Sequence, residues 1–218
     1  MDIANEIAGI LLQIKAIKLS PQKPFTWASG MRSPIYCDNR SILSHPGSRD
    51  RVVEALVRQS ASFASFNAIA GVATAGIPHG ILLADRLKLP FVYVRDKPKS
   101  HGRQNLIEGE LEAGASVLVV EDLISTGGSS LKAVGALREA GAKISGVLAI
   151  FNYGFPESAR AFQEAACPLA TLSNYDALLK KAVEMGYISN AENILLADWK
   201  HDPREWGERF TSGSDTIK

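Results

Sequence analysis

The sequence predicts an α/β chain built on a mostly parallel central sheet flanked by helices. Short, uncharged apolar runs recur at residues 68–72 (AIAGV), 91–94 (FVYV), 116–120 (SVLVV), 146–151 (GVLAIF) and 168–172 (PLATL). Segments of helical periodicity separate them, among them 48–60, 77–88 and about 128–140. The runs lack the polar alternation of a half-solvated strand, so they read as strands covered by helices on both faces. With 218 residues, 46% of them hydrophobic and 22% charged, the chain is long enough to hold a core without disulfides or a structural metal, and a single domain over 1–218 is expected.

The elements follow in chain order. MDIANEIAGILLQIKAIKL reads as an amphipathic helix, with Asp2 and Glu6 where a signal peptide would be basic. The turn-rich stretch SPQKPFTWASGMRSP leads to a short strand, IYCDNR, at 35–40. Residues 60–84 hold no Asp, Glu, Lys or Arg and are long enough to span a bilayer. Ser60, Ser62, Ser65, Asn67, Thr74, Pro78 and His79 interrupt them, however, so they read as helix end, buried strand, turn and helix start. After about residue 173 the pattern is helical, closing in a polar tail from His201 onward, with Trp199 and Trp206 as packing or dimer-contact residues.

Charge and cysteine content narrow the function. Twenty-four Lys and Arg against 23 Asp and Glu leave a formal charge of +1, which gives no overall attraction for nucleic acid or an anionic membrane. Any bound anion must then be met by a local cluster. Cys37 and Cys167 form no CxxC pair, so neither a zinc site nor a disulfide framework is expected, and a reducing, cytoplasmic setting is the simpler reading. Cys37 reads as a small buried hydrophobe, and His45, His79 and His201 as capping or surface residues.

The segment VLVVEDLISTGGSS, residues 117–130, carries the most chemistry. A buried strand runs into two carboxylates, Glu121 and Asp122, then through Leu123 and Ile124 into the small-residue loop Ser125, Thr126, Gly127, Gly128 and Ser129, which opens a helix. Small residues let backbone approach a phosphate, and free N–H groups at a helix start offer it donors and the positive dipole end. The carboxylates would repel that phosphate, so they are expected to accept hydrogen bonds from sugar hydroxyls nearby. Together the groups describe a ribose 5-phosphate site, although a strand, an acidic helix cap and a glycine turn would look the same without a ligand. The chain has no GxxxxGK[ST] loop, and GVATAGIPHG at 71–80 lacks the GxGxxG spacing.

At 117–130 the chain resembles the type I phosphoribosyltransferases, and FTWASGMRSPIYCDNR (25–40), GVATAGIPHG and YVRDKPKSHGRQNLIEG (93–109) look like the orotate phosphoribosyltransferases. The resemblance implies that family's fold, with 1–45 and part of the C-terminal region forming a hood over the base and 95–109 a lid loop. It implies transfer of the 5-phosphoribosyl group from 5-phospho-α-D-ribose 1-diphosphate to orotate, in pyrimidine synthesis, with Mg2+ carried mainly on the substrate. It implies a homodimer in which each lid reaches its neighbour's active site.

Read physically, the lid concentrates cation in a neutral protein: Arg95, Lys97, Lys99 and Arg103 against Asp96 give a formal +3 with His101 neutral. Pro98, Gly102 and Gly109 argue for a mobile loop of the kind that closes over a ligand and excludes water. By resemblance, Arg95, Lys99 and His101 bind phosphoribosyl diphosphate, with Lys99, His101 and Asp122 as catalytic residues, and Asp96 stands where many relatives have a second basic residue. Thr74, Ala75 and Gly76 are expected to face the diphosphate. For orotate the expected contacts are Ser125, Arg32 and Tyr36. Ala28 and Tyr153 stand where some relatives have basic residues. A purine phosphoribosyltransferase, or a non-catalytic regulator that binds phosphoribosyl diphosphate, is the alternative.

Overall fold

The computed structural model describes residues 2–27, 30–97 and 106–210. Lys99, His101 and Arg103, with Pro98 and Gly102, lie outside the described residues, as does Ala28.

The expected sheet is present and has six strands: β5 (Ala68–Val72), β6 (Phe91–Val94), β7 (Ile107–Glu108), β8 (Ser116–Ile124), β9 (Lys143–Asn152) and β10 (Leu169–Asn174). Their order is β10-β9-β8-β5-β6-β7, parallel throughout except for the antiparallel β6–β7 pair. α2 (Pro46–Ser60) leads into β5, and α3 (Gly76–Leu87), α4 (Gly128–Glu139) and α5 (Pro156–Glu164) connect β5 to β6, β8 to β9 and β9 to β10. Successive residues of a strand point to opposite faces, and the two halves of the core obey this. Ile69, Leu118, Val120, Leu148 and Ile150 join the larger cluster, whereas Ala68, Ala70, Val117, Val119, Val147 and Ala149 join the second. All eleven are buried on a sheet face against apolar neighbours, which is why these runs carry no charge.

The N-terminal region differs from its sequence reading. The first helix, α1 (Ile3–Gln13), ends early, and Ile17–Leu19 forms a strand, β1, paired antiparallel with β4 (Ile35–Cys37). A second hairpin pairs β2 (Phe25–Thr26) with β3 (Arg32–Ser33), and a 3₁₀ turn follows over Asn39–Ser44. Strands of two or three residues are too short to print a period on the sequence. At the other end, α6 (Tyr175–Glu184), α7 (Asn190–His201) and α8 (Pro203–Glu208) follow the sheet. The expected polar tail is therefore helical to Glu208: Asp202 caps α8, accepting from the N–H groups of Arg204 and Glu205, and Trp206 is buried. Trp199 and Trp206 are both core residues of this chain.

His79 corrects another expectation. It is fully buried in α3, neither ring nitrogen has a hydrogen-bond partner, and burial holds its pKa down at about 4. It packs as a neutral ring. His45 does occupy the N-cap position of α2, without a side-chain capping bond, and His201 is exposed.

α3 begins hard against β8. A Cβ on Gly76 would sit 2.4 Å from the Val120 carbonyl oxygen, so only glycine allows this approach. Gly76→Ala is expected to lower stability by about 1–3 kcal/mol, because backbone rather than a flexible side chain must yield. Urea denaturation measures it, and an unchanged midpoint would show that the 73–76 turn moves away freely.

Candidate active site

Ligands of open α/β sheets sit beyond the carboxyl ends of the strands, and the residues singled out in the sequence gather there. β8 does not stop at the acidic pair. It stays paired with β9 through Ile124, with Glu121 opposite Ala149, Leu123 opposite Phe151 and Ile124 opposite Asn152. The two-residue period of the strand therefore continues and sends the two carboxylates to opposite faces.

Glu121 points to the α4 side and is 5% exposed. It accepts hydrogen bonds from Ser130 Oγ (3.1 Å), Ser129 Oγ (3.3 Å) and the Asp122 N–H (3.1 Å). Asp122 points to the hood side, is half-buried, and has its backbone carbonyl held by Asn39 Nδ2 at 2.7 Å. The two members of the expected pair thus differ in role: Glu121 organises the start of α4, while Asp122 lies on the hood side near Asp38 and Arg40, its carboxyl still close enough to hydrogen-bond that of Glu121. Burial, with the Asp122 charge beside it, pushes the Glu121 carboxyl up to about 8. Burial also raises Asp122, against the lowering pull of Arg40.

The loop beyond is shaped for backbone approach. Gly127, the N-cap of α4, has φ +87°, and a Cβ there would strike the Phe162 ring at 2.7 Å. No side chain caps α4. The first N–H groups of a helix have no intrahelical acceptor, so those at Gly128 and Ser129 are left to an anion, with Thr126 exposed beside them. The Ser129 hydroxyl is engaged with Glu121. Across the sheet, Thr74 is exposed, and Ala75 is the N-cap of α3, which also lacks a side-chain cap. Two uncapped helix starts, α3 and α4, therefore stand at the ends of adjacent strands.

A cleft of about 790 Å³ runs from Ser125 and Thr126 to Arg32 of the hood hairpin and on to His201 and Arg204 near the C-terminus. The structure thus brings Ser125 and Arg32 together, with Arg32 Nη1 donating to Thr26 Oγ1 at 3.0 Å. Tyr36 does not line this cleft. Its ring, 41% exposed, lies 5.8 Å from that of Phe25. Arg40 forms a two-bond fork with Asp38 (2.6 and 3.0 Å) and lies near enough to Asp122 to feel its charge. Cys37 is half-buried, and burial raises its thiol pKa. Tyr153 is 3% exposed and stacks on Trp27 at 5.5 Å.

At the root of the expected lid, Arg95 Nη1 pairs with Glu108 at 3.2 Å. Asp96 pairs with Lys132 of α4 at 3.1 Å. Sequence reasoning missed Asn39, Lys132 and the α8 residues. The Asp202-Pro203 dipeptide was the available signal for α8, as a helix cap followed by proline at the first turn. Nothing local marked Asn39 or Lys132, whose partners lie 83 and 36 residues away.

A parallel sheet with a glycine-started helix beyond an acidic strand end, facing a second uncapped helix start, defines a sugar-phosphate-binding α/β protein. Residues 38–163 match the family model of the phosphoribosyl transferase domain. The chain is 56% identical over 197 residues to an orotate phosphoribosyltransferase of Bacteroides thetaiotaomicron, covering 90% of this chain and 93% of that one. Among solved structures, the orotate phosphoribosyltransferase of Aeropyrum pernix superimposes with a TM-score of 0.73 at 28% identity, covering 84% of this chain and 99% of that one. The Mycobacterium tuberculosis enzyme in complex with 5-phospho-alpha-D-ribosyl 1-diphosphate shares the fold, with a TM-score of 0.63 at 22% identity over 82% of this chain and 99% of that one. The protein belongs to the phosphoribosyltransferase family, within its orotate phosphoribosyltransferase group.

The buried Glu121 makes a pH prediction. Its folded pKa of about 8 lies above its ordinary 4.5, so the folded state holds the extra proton. Stability from this group is fully present below the unfolded value, declines as pH rises, and is gone above about 8. Glu121→Gln removes that titration while keeping the shape. Denaturation at pH 6 and pH 9 is expected to show a smaller loss of stability for the variant than for the wild type, and equal slopes would contradict the assignment.

Proposed function

We propose that the protein transfers the 5-phosphoribosyl group of 5-phospho-α-D-ribose 1-diphosphate to orotate, giving orotidine 5′-monophosphate and diphosphate in pyrimidine nucleotide synthesis. The observation that carries the reading is the end of β8, where the half-buried Asp122 on the hood side precedes an uncapped, glycine-started helix.

Breaking the anomeric C–O bond leaves positive charge on the sugar and negative charge on the departing diphosphate, and both must be stabilised together. Asp122 accepts from the ribose hydroxyls and favours the cationic ring. The backbone at Thr126, Gly127, Gly128 and Ser129 holds the 5′-phosphate, so binding energy far from the reacting carbon aligns it. Thr74, Ala75 and Gly76 face the diphosphate, with Arg95, Lys99 and His101 supplying cations, and Lys99 or His101 protonates the leaving group. Ser125 and Arg32 contact the base.

Among the described residues, no three His, Cys, Asp or Glu side chains are grouped to hold a metal ion. The half-buried Asp122 suits at most one contact to Mg2+ carried on the substrate, where the ion would neutralise diphosphate charge. We place the lid of one subunit over the site of its partner in a homodimer, and the protein in the cytoplasm, in keeping with two free thiols, Cys37 and Cys167. Among the described residues, no helix is long and apolar enough to cross a membrane.

With phosphoribosyl diphosphate and Mg2+, product is expected from orotate and not from hypoxanthine, adenine or uracil. Any of the last three as the preferred acceptor would overturn the reading. Asp122→Asn should lower kcat by about 10²–10³-fold with little change in thermal stability. Mixing Asp122→Asn with Lys99→Ala chains should restore activity in verified heterodimers, since one of the two sites then has both residues intact. Two equally inactive sites would refute sharing.

A further inference from the structure

Resting on the orotate reading, we propose that α8 forms a working wall of the base site and that Arg204, opposite Arg32, anchors the carboxylate of the base. The acceptor is a planar anion, so its site needs a fixed cation beside the ring. The end of β9 supplies none: Tyr153 is 3% exposed, with Trp27 and Phe155 both 5.5 Å from its ring. The cleft that starts at Ser125 and Thr126 instead has two guanidinium groups on its walls, Arg32 from β3 and Arg204 from α8.

The elements that carry them are anchored. Trp206 is 3% exposed, donates from Nε1 to the Leu195 carbonyl at 3.2 Å, and packs on Phe210 with ring centroids 4.5 Å apart. One residue on, Gly207 seats α8 directly on the hairpin, where a Cβ would lie 3.2 Å from the Arg32 carbonyl oxygen. The spacing between the backbones of α8 and β3, from which the two arginines project, is fixed by that contact. Thr26 Oγ1 holds Arg32 at 3.0 Å. The acids nearby are partly committed elsewhere. Asp202 caps α8, while Asp198 and Glu205 pair with Arg209. Glu157 and Glu208 also line the cleft. Among the described residues no carboxylate is within ion-pair distance of the Arg204 guanidinium, which is left for a ligand anion.

Orotidine 5′-monophosphate and uridine 5′-monophosphate differ only in the ring carboxylate, so titration calorimetry with both isolates its anchor. Wild type is expected to bind the first more tightly. Arg204→Gln should weaken orotidine monophosphate by about tenfold or more while leaving uridine monophosphate, phosphoribosyl diphosphate and the melting curve unchanged. In turnover the loss should fall on KM for orotate rather than on kcat, and Arg204→Lys should recover part of it. Unchanged affinity for orotidine monophosphate, or equal losses for both nucleotides, would overturn the proposal while leaving the function standing. Wild-type protein that does not use orotate would overturn the function itself, and the inference with it.

Discussion

The site depends on one backbone constraint: β8 keeps its pairing with β9 past the last core valine, through Glu121 and Asp122, to Ile124. A strand alternates its faces without exception while its ladder holds. Glu121 must therefore point to the side where Val117 and Val119 are packed, and Asp122 to the side of Leu118 and Val120. On the first side stands the start of α4, on the second the hood. One carboxyl becomes an internal fastening for a helix, and its neighbour in sequence is turned to the hood side, where the proposed reaction assigns it the ribose hydroxyls.

That division explains how a protein of near-zero net charge concentrates anion-binding capacity without a large basic patch. Glu121 takes hydroxyl donors from Ser129 and Ser130, so the side chains of α4 face inward and the backbone N–H groups remain for a phosphate. Gly127 and Gly76 serve the same end by different means. Gly127 takes a positive φ beneath the Phe162 ring, and Gly76 lets the start of α3 close on the Val120 carbonyl. In both places the missing Cβ is what brings backbone donors to the end of the sheet.

The sheet was legible because strands covered on both faces must be uncharged, and such runs stand out in a chain that is otherwise 22% charged. The glycine-started helix after the acidic strand end was legible for a similar reason, since a run of small residues marks a turn into which backbone must fit closely. The direction of each carboxylate was not, because it depends on where the ladder with β9 stops. The hood hairpins escaped for lack of length, each strand having two or three residues. His79 was misjudged because polarity is a poor guide for an imidazole: kept neutral, it can be buried at modest cost. α8 was hidden among charged residues, although Trp206 within them is an anchor that tertiary contacts alone reveal.

The root of the lid shows how local pairing changes a charge argument taken from sequence. Counted along the chain, Arg95 to Arg103 carries a formal +3. In the fold, Arg95 already meets Glu108 at 3.2 Å, and Asp96 meets Lys132 at 3.1 Å. These pairs are partly exposed, so each contributes little to stability, but they tie the beginning of the lid to β7 and α4. Asp96, which stands where many relatives have a second basic residue, pairs here with Lys132 of α4. In the proposed reaction, the charge offered to a departing diphosphate would depend on Arg95 exchanging Glu108 for the ligand, and on the cations that follow Asp96 in sequence. A bound diphosphate, with several negative charges against the single one of Glu108, has the stronger claim on that guanidinium.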